Sequence, residues 1–286
     1  MVMEDVSAAW HSYKRNLKSL LGGIFLIYVV IYGSVLVGFV PMFSYLYSYS
    51  AYAATCLGPT AICAAPPVMG LFPPVFMGIM LVVALLLAYV LVGGFIKMCE
   101  EALKRRTRVK TMIETSKKKW KPFIGVGLLV FAITMLVFGI FLAPLVLGIV
   151  LQSPGLFMFG MIFMYVGYIA IFIVALLLIF SFQAVALDNY RVVEAVKRSY
   201  HLSKSNFLSV LALMILLGIM MFAVALVPTI ILALILSLLL SLQPLLSFYF
   251  AFIIGIIFAV PIQYLGFTSF YLRNRRKVRK PIKRKK

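Results

Sequence analysis

Six long apolar runs, separated by short polar segments, dominate the hydropathy pattern of this chain. They cover residues 20–46, 67–96, 122–151, 157–187, 207–242 and 245–272. Each run reaches the ~20 residues with which an α-helix crosses a hydrocarbon core. Because lipid offers the backbone no hydrogen bonds, such runs cross a membrane as helices. The pattern therefore predicts an all-α integral membrane protein with six transmembrane helices.

Basic residues lie on only one side of this predicted membrane. All 27 Lys and Arg fall before the first run, between runs two and three, between runs four and five, or after run six. The other three connections, residues 47–66, 152–156 and 243–244, contain none. This is the positive-inside pattern, which predicts a multi-pass protein of the cell (cytoplasmic) membrane with both termini cytoplasmic. It explains the net charge of +20 as a topology signal, so no nucleic-acid partner is expected.

The polar segments before the odd-numbered runs resemble one another. The segment WHSYKRN at 10–16 aligns with YHLSKSN at 200–206. A weaker third copy is TMIETSKKKWKPF at 111–123, placed by Ser116 on Ser12. Such self-similarity is typical of an internal repeat. It predicts one structural unit, an amphipathic helix followed by a helical hairpin, that occurs three times.

The repeat divides the chain into three units and a tail. The units cover about 1–98, 99–187 and 188–272, and together they form a membrane domain over 1–272. Each unit starts and ends on the same side, which predicts repeats in parallel orientation. A basic cytoplasmic tail follows over 273–286.

The three polar segments are predicted to be amphipathic helices that lie in the membrane interface. Mainly apolar residues, with one serine, recur on one side of each: Val6, Trp10, Tyr13 and Leu17 in the first, Ile113, Ser116 and Trp120 in the second, Val193, Val196, Tyr200 and Phe207 in the third. A basic opposite side favours contact with anionic lipid headgroups. The candidate headgroup contacts are Lys14, Arg15, Lys18, Lys197, Arg198 and Lys204. Membrane lipids, with an anionic preference, are therefore the predicted partners, and a cytoplasmic protein partner is the alternative.

Small and polar residues gather in the inner halves of the even-numbered runs. The candidates for an inner cavity are Ser181, Gln183, Gln263, Thr268 and Ser269. Amide and hydroxyl groups within a membrane require partners. They therefore predict either hydrogen bonds between helices or a cavity that faces the cytoplasm near the pseudo-threefold axis.

The predicted outer loop contains two cysteines. Cys56 and Cys63 are separated by six residues that include no charge. In an oxidising exterior they can form a disulfide. Two free thiols are the alternative.

The sequence contains no pattern that indicates catalysis. It has no glycine-rich phosphate loop, no HExxH motif and no nucleophile beside a base. No charged residue lies in the middle of a run, although proton and ion carriers depend on such residues. We therefore expect a non-enzymatic protein with no cofactor and no metal site.

The segment ALDNYRVVEAVKRSYHLSKSNF resembles a known family. It is similar to the multi-pass membrane domain that is fused to some glycerophosphoryl diester phosphodiesterases and that also occurs alone in bacteria and archaea. The resemblance is strongest over 183–215. It is carried by Glu194, Ala195, Lys197, Arg198, Ser199, Leu202, Lys204, Asn206 and Phe207. The soluble phosphodiesterase barrel is absent, so the resemblance implies a prokaryotic membrane protein of lipid metabolism or the envelope, without hydrolase activity.

Three functional hypotheses follow from the sequence. The first is a membrane protein that binds or organises lipid, or another apolar ligand, from the cytoplasmic leaflet. The second is a transporter or channel component, such as a permease-like subunit. The third is a scaffold that shapes the membrane. Lipid retained after purification would indicate the first. A co-purifying ATPase or solute flux would indicate the second, and deformed liposomes would indicate the third.

Overall fold

The structure is a computed structural model that describes residues 2–56, 72–240 and 244–275. Within these residues every regular element is an α-helix. The helices are α1 (Val2–Cys56), α2 (Phe72–Lys104), α3 (Val109–Val150), α4 (Pro154–Leu178), α5 (Ser181–Asp188), α6 (Val192–Ser205), α7 (Phe207–Leu240) and α8 (Pro244–Asn274). Among the residues described, six helical segments are long and apolar enough to cross a membrane. The predicted fold class, an all-α membrane protein with six transmembrane helices, is confirmed. The predicted tail boundary at 272 falls inside α8.

The six long helices pack as three hairpins, α1 with α2, α3 with α4, and α7 with α8. Their close contacts require small residues, because association within lipid depends on van der Waals packing. At Gly160 in α4, an added Cβ atom would lie 2.5 Å from the Cα atom of Leu145 in α3. The hairpin of α3 and α4 therefore has no room for a larger side chain at this position.

A break in the helix separates each amphipathic segment from the span that follows. Asn16 has φ −117° and ψ 18°, and Lys119 has φ −119° and ψ 24°. Asn206, between α6 and α7, has φ −129° and ψ 32°. The second break lies one residue before Trp120, the position that the sequence alignment gives. This shared backbone conformation is consistent with the predicted repeat.

Each amphipathic segment packs on the even-numbered span of the preceding unit, and the first segment packs on α8. The Tyr13 hydroxyl donates to the carbonyl of Phe258 in α8 (2.7 Å). The Ser116 hydroxyl donates to the carbonyl of Val90 in α2 (3.0 Å), and Ser199 of α6 makes the corresponding contact with α4. These contacts link the three hairpins in a closed cycle.

The large apolar residues that the sequence places on one side of each segment divide between exposed positions and positions packed on the core, such as Tyr13 and Val196. Val193 and Trp120 are 56% and 48% exposed, and Ile113 and Tyr200 are also exposed. The buried positions carry mostly small or polar residues: Ala9, Ser12 and Tyr13 in the first segment, Met112 and Ser116 in the second, Ala195, Ser199, Leu202 and Ser203 in the third. The physical reason is close approach: an added Cβ atom at Gly94 of α2 would lie 2.1 Å from the Ser116 hydroxyl. Bulky side chains do not fit between helices that lie so near each other.

The hydrophobic core lies at the end of the bundle that carries the charged connections. Its largest fully buried side chains include Phe95, Phe123, Phe180, Phe270 and Tyr271. The opposite halves of the spans expose large apolar side chains, which is the surface expected of helices that face lipid. The hairpins are therefore joined mainly at this predicted cytoplasmic end.

The packing of α6 generates a stability prediction. Replacing Ser199 with Ala removes its hydrogen bonds to the backbone of Leu177 and Phe180. We expect the free energy of unfolding to fall by about 1 kcal/mol. Val193→Ala, on the exposed side of the same helix, is the matched control and should change it by less than about 0.5 kcal/mol. Thermal unfolding of the purified protein measures both, and an equal loss in the control would contradict the observed packing.

Candidate functional site

A pocket of about 370 Å³ lies between the even-numbered spans, where α2, the α4–α5 connection and α8 meet. Its lining residues are Ala88, Tyr89, Val92, Ile96, Ile179, Phe182, Gln183, Gln263, Tyr264 and Phe267. None of them is charged, and two are amides. Small-molecule pockets typically measure roughly 300–1,000 Å³ and combine an apolar lining with a few polar groups. By size and lining, this pocket fits that description.

A break between α4 and α5 shapes one wall of the pocket. The helix is interrupted at residues 179–180, which frees backbone groups of the last turn of α4. The Ser199 hydroxyl accepts a hydrogen bond from the Phe180 amide (3.1 Å) and donates one to the Leu177 carbonyl (2.9 Å). Phe180 is fully buried and stacks on Phe270 of α8, with ring centroids 5.6 Å apart. These contacts fix the start of α5, whose Phe182 and Gln183 line the pocket.

Aromatic rings provide most of the apolar wall. Tyr89 of α2 packs against Phe182 of α5, with ring centroids 5.8 Å apart. Phe95 of α2 meets the edge of Tyr264 of α8 at 5.5 Å. Rings that hold one another through such contacts have few alternative rotamers, so the walls are held in place by contacts between α2, α5 and α8.

Gln183 is the most unusual polar group of the pocket. Its side chain is only 2% exposed, and its Oε1 atom is buried without a hydrogen-bond partner in the described part of the chain. Leaving a buried acceptor unpaired costs roughly 1–3 kcal/mol. A native group of this kind requires an explanation, and a bound ligand is one. An amide can donate as well as accept, so it matches a hydroxyl, carbonyl or amide group.

The structure brings together only two of the five predicted cavity residues. Gln183 and Gln263 line the same pocket from α5 and α8. Ser181 and Thr268 are fully buried, but neither lines the pocket, and their hydroxyls have no partner among the described residues. The Ser269 hydroxyl donates to Asp5 Oδ1 (2.9 Å) and joins α8 to the first amphipathic segment.

The predicted headgroup contacts do not converge on one site. Lys14 lies over the ring of Trp10 (4.6 Å) and Lys204 over that of Tyr200 (5.5 Å). Arg15 donates to the carbonyl of Ala102 at the end of α2 (2.6 Å). The side chains of Lys18 and Lys197 are exposed. Arg198 donates to the carbonyl of Arg275 (2.5 Å). The two arginines therefore serve partly as caps for carbonyls at helix ends.

The predicted disulfide between Cys56 and Cys63 lies outside the described residues. Cys56 ends α1, its side chain is not described, and Cys63 falls between α1 and α2. Cys99 of α2 is buried with a free thiol.

The aromatic lining was missed by the sequence analysis, which considered only polar groups. A usable pattern was present, because each pocket amide stands next to an aromatic residue. Phe182 precedes Gln183, and Tyr264 follows Gln263. Residues adjacent on a helix differ by about 100° in direction, so both members of such a pair can border one wide cavity.

A family model described as "Domain of unknown function (DUF7847)" matches residues 20–272. This range begins with the first predicted apolar run and ends with the last, so it includes the whole pocket. No curated protein and no solved structure matches the chain.

The unpaired amide generates a prediction that separates a ligand pocket from simple helix packing. Replacing Gln183 with Leu removes a buried amide oxygen that has no hydrogen-bond partner among the described residues. In delipidated protein this should raise the free energy of unfolding by about 1 kcal/mol, because the cost of the unpaired acceptor disappears. The contrast is Asn16→Leu, since the Asn16 amide bonds to Ala102 and Thr107 and its loss should cost about 1–3 kcal/mol.

Thermal denaturation followed by circular dichroism measures both variants. A lower melting temperature for Gln183→Leu would show that the amide bonds to another helix. The interhelical hydrogen bond would then be the correct alternative, and the pocket would lose its polar group.

Proposed function

We propose that this chain, which belongs to the DUF7847 family, is a non-enzymatic membrane protein that binds a lipid or another apolar ligand from the cytoplasmic leaflet. The ligand occupies the pocket between the even-numbered spans. The observation that carries the proposal is the buried amide oxygen of Gln183, which has no hydrogen-bond partner among the described residues and belongs to a mainly apolar pocket. A ligand with one neutral hydrogen-bonding group supplies the missing partner.

The energetics favour a mainly apolar ligand. Each Å² of apolar surface removed from water contributes roughly 25 cal/mol, so affinity comes chiefly from the aromatic and aliphatic lining. The amides of Gln183 and Gln263 then fix the orientation of the ligand, as the few polar groups of such pockets usually do. No charged side chain lines the pocket, so an ionic group of the ligand has no partner there.

The depth of the pocket matches the inner leaflet of the predicted topology. Ile96, Gln183 and Phe267, the lining residues of α2, α5 and α8 that are nearest to the charged connections, lie 8, 5 and 7 residues before the last residues of these helices. At 1.5 Å per residue, this is about 8–12 Å from the helix ends that bear the charged connections. Interfacial side chains reach the boundary between headgroups and acyl chains at about 5–10 Å. A lipid of the cytoplasmic leaflet has its first carbons at a similar depth.

The family resemblance supports lipid as the ligand class and stays a hypothesis. Several residues that carry it have a packing role, because Ala195, Ser199 and Leu202 form the buried face of α6. Ser199 in turn holds the break that shapes the pocket wall. The resemblance therefore covers residues that build the proposed site indirectly.

Filling the pocket tests the proposal. Ala88→Trp places an indole in the lining, whereas Val166→Trp places one on an exposed face of α4. Both proteins are purified from membranes in mild detergent, and bound lipid is quantified by native mass spectrometry. We expect Ala88→Trp to lose the bound species and Val166→Trp to retain it. Equal retention by both variants would contradict the proposal.

Gln183→Leu provides a graded test of the same site. It keeps the apolar lining and removes one hydrogen bond, which is worth about 1–1.5 kcal/mol. The affinity for the identified ligand should fall about 5–10-fold. If the wild-type protein carries no ligand but co-purifies with an ATPase or shows solute flux, the permease hypothesis replaces this one.

A further inference from the structure

A second cleft, of about 330 Å³, opens where α2, α3 and the end of α5 meet. It is lined by Lys97, Glu114, Thr115, Lys118, Lys119 and Asn189. Three lysines share this cleft with one carboxylate. We propose that this lysine cleft, defined by Lys97, Lys118 and Lys119, binds an anion that carries a phosphate group.

The partners of the three ammonium groups leave positive charge uncompensated. Lys97 lies 2.5 Å from Glu100, a carboxylate that Lys104 also contacts at 2.8 Å. Within the part of the chain that the structure describes, Lys118 makes no ion pair and no hydrogen bond. Glu114, the carboxylate in the lining, is exposed and lies 3.7 Å from Lys110 on its own helix. The surplus of positive over negative charge in this cleft favours an added anion.

Lys119 has a structural task that does not require its charge. Its ammonium group donates to the carbonyls of Ala186 (2.8 Å) and Val185 (3.3 Å) at the end of α5. Asn16 stands at the corresponding break in α1 and caps the carbonyl of Ala102 at the end of α2 with a neutral amide (3.1 Å). An amide thus performs the same capping at a break with nearly the same φ and ψ. Capping of the α5 carbonyls therefore does not require the positive charge of Lys119.

The chemistry of the cleft indicates phosphate. Lysine binds phosphate as a point charge, and a phosphate monoester carries about −1.5 to −2 charges at neutral pH. Three ammonium groups from α2 and α3 provide positive charge for such an anion, and among the described residues only one carboxylate, that of Glu114, lines the cleft with them. The Thr115 hydroxyl and the Asn189 amide supply neutral donors for further oxygens. A free phosphate compound provides a group of this charge, and an anionic phospholipid such as phosphatidylglycerol provides a phosphate diester with a single negative charge.

The lysine cleft is a site distinct from the apolar pocket. None of the described residues lines both, although Ile96 of the pocket precedes Lys97 of the cleft. The inference does not depend on the proposed function, because a free phosphate compound can occupy the cleft when the pocket is empty.

The test compares neighbouring lysines on one helix. Lys118→Gln removes a cleft charge, and Lys117→Gln removes an equal charge from the same exposed segment without altering the lining. Lys119→Asn copies the residue found at the breaks of the first and third units, and at the first of these breaks the Asn16 amide caps the end of a neighbouring helix. Each lysine near an anion contributes a factor of about five in affinity.

Two probes distinguish the sources of phosphate. Inorganic phosphate is titrated into the full-length protein by calorimetry. Binding of phosphatidylglycerol against phosphatidylcholine is measured by native mass spectrometry. We expect Lys118→Gln and Lys119→Asn each to weaken binding about fivefold, and Lys117→Gln to leave it unchanged.

The pattern of effects decides the result. The expected pattern with inorganic phosphate identifies a site for free phosphate compounds, and the same pattern with phosphatidylglycerol alone identifies a headgroup site. Equal effects of Lys117→Gln and Lys118→Gln would overturn the inference, because they indicate a general electrostatic attraction. Binding of neither probe would overturn it as well.

Discussion

A helix that breaks inside or beside a membrane must find hydrogen-bond partners for the backbone groups it frees, because lipid provides none. The rest of this structure depends on that constraint. Ser199 serves the break between α4 and α5, Asn16 caps the end of α2, and Lys119 caps the end of α5. Each of these side chains belongs to an amphipathic segment or to the junction that follows it. The segments therefore join the hairpins because their polar groups complete the backbone of a neighbouring helix.

The same constraint explains which parts of the fold the sequence predicts. A run of about 20 apolar residues is informative because a spanning helix cannot avoid it, so all six spans were predictable. The side on which each amphipathic segment packs was not, because small residues such as Ala195 and Ser199 take the positions of close helix contact. Ala195 lies inside and Val193 outside, which inverts the rule for a helix in water. The sequence alignment also placed the second break at Trp120 rather than at Lys119. The other two breaks have Asn at this position, and Lys resembles Asn only in its ability to donate a hydrogen bond.

The candidate site was predictable to a similar extent. Gln183 and Gln263 stood out because amides are costly in lipid, and the structure places them in one pocket. Ser181 and Thr268 gave the same type of signal, yet they lie elsewhere, because hydropathy does not report the direction of a side chain. The aromatic walls were marked only by position, because Phe182 and Tyr264 stand beside the two pocket amides in the sequence. In a span where nearly every residue is apolar, those that face a pocket and those that face lipid have the same composition.

The central claim is that the pocket holds an apolar ligand whose polar group pairs with the Gln183 amide. The most direct measurement is a high-resolution cryo-electron microscopy map of the protein extracted with its native lipids. The account predicts density for an elongated molecule between Gln183 and Gln263, with one polar atom within hydrogen-bond distance of the Gln183 amide. A pocket closed by its own side chains, with that amide bonded to another helix, would contradict it.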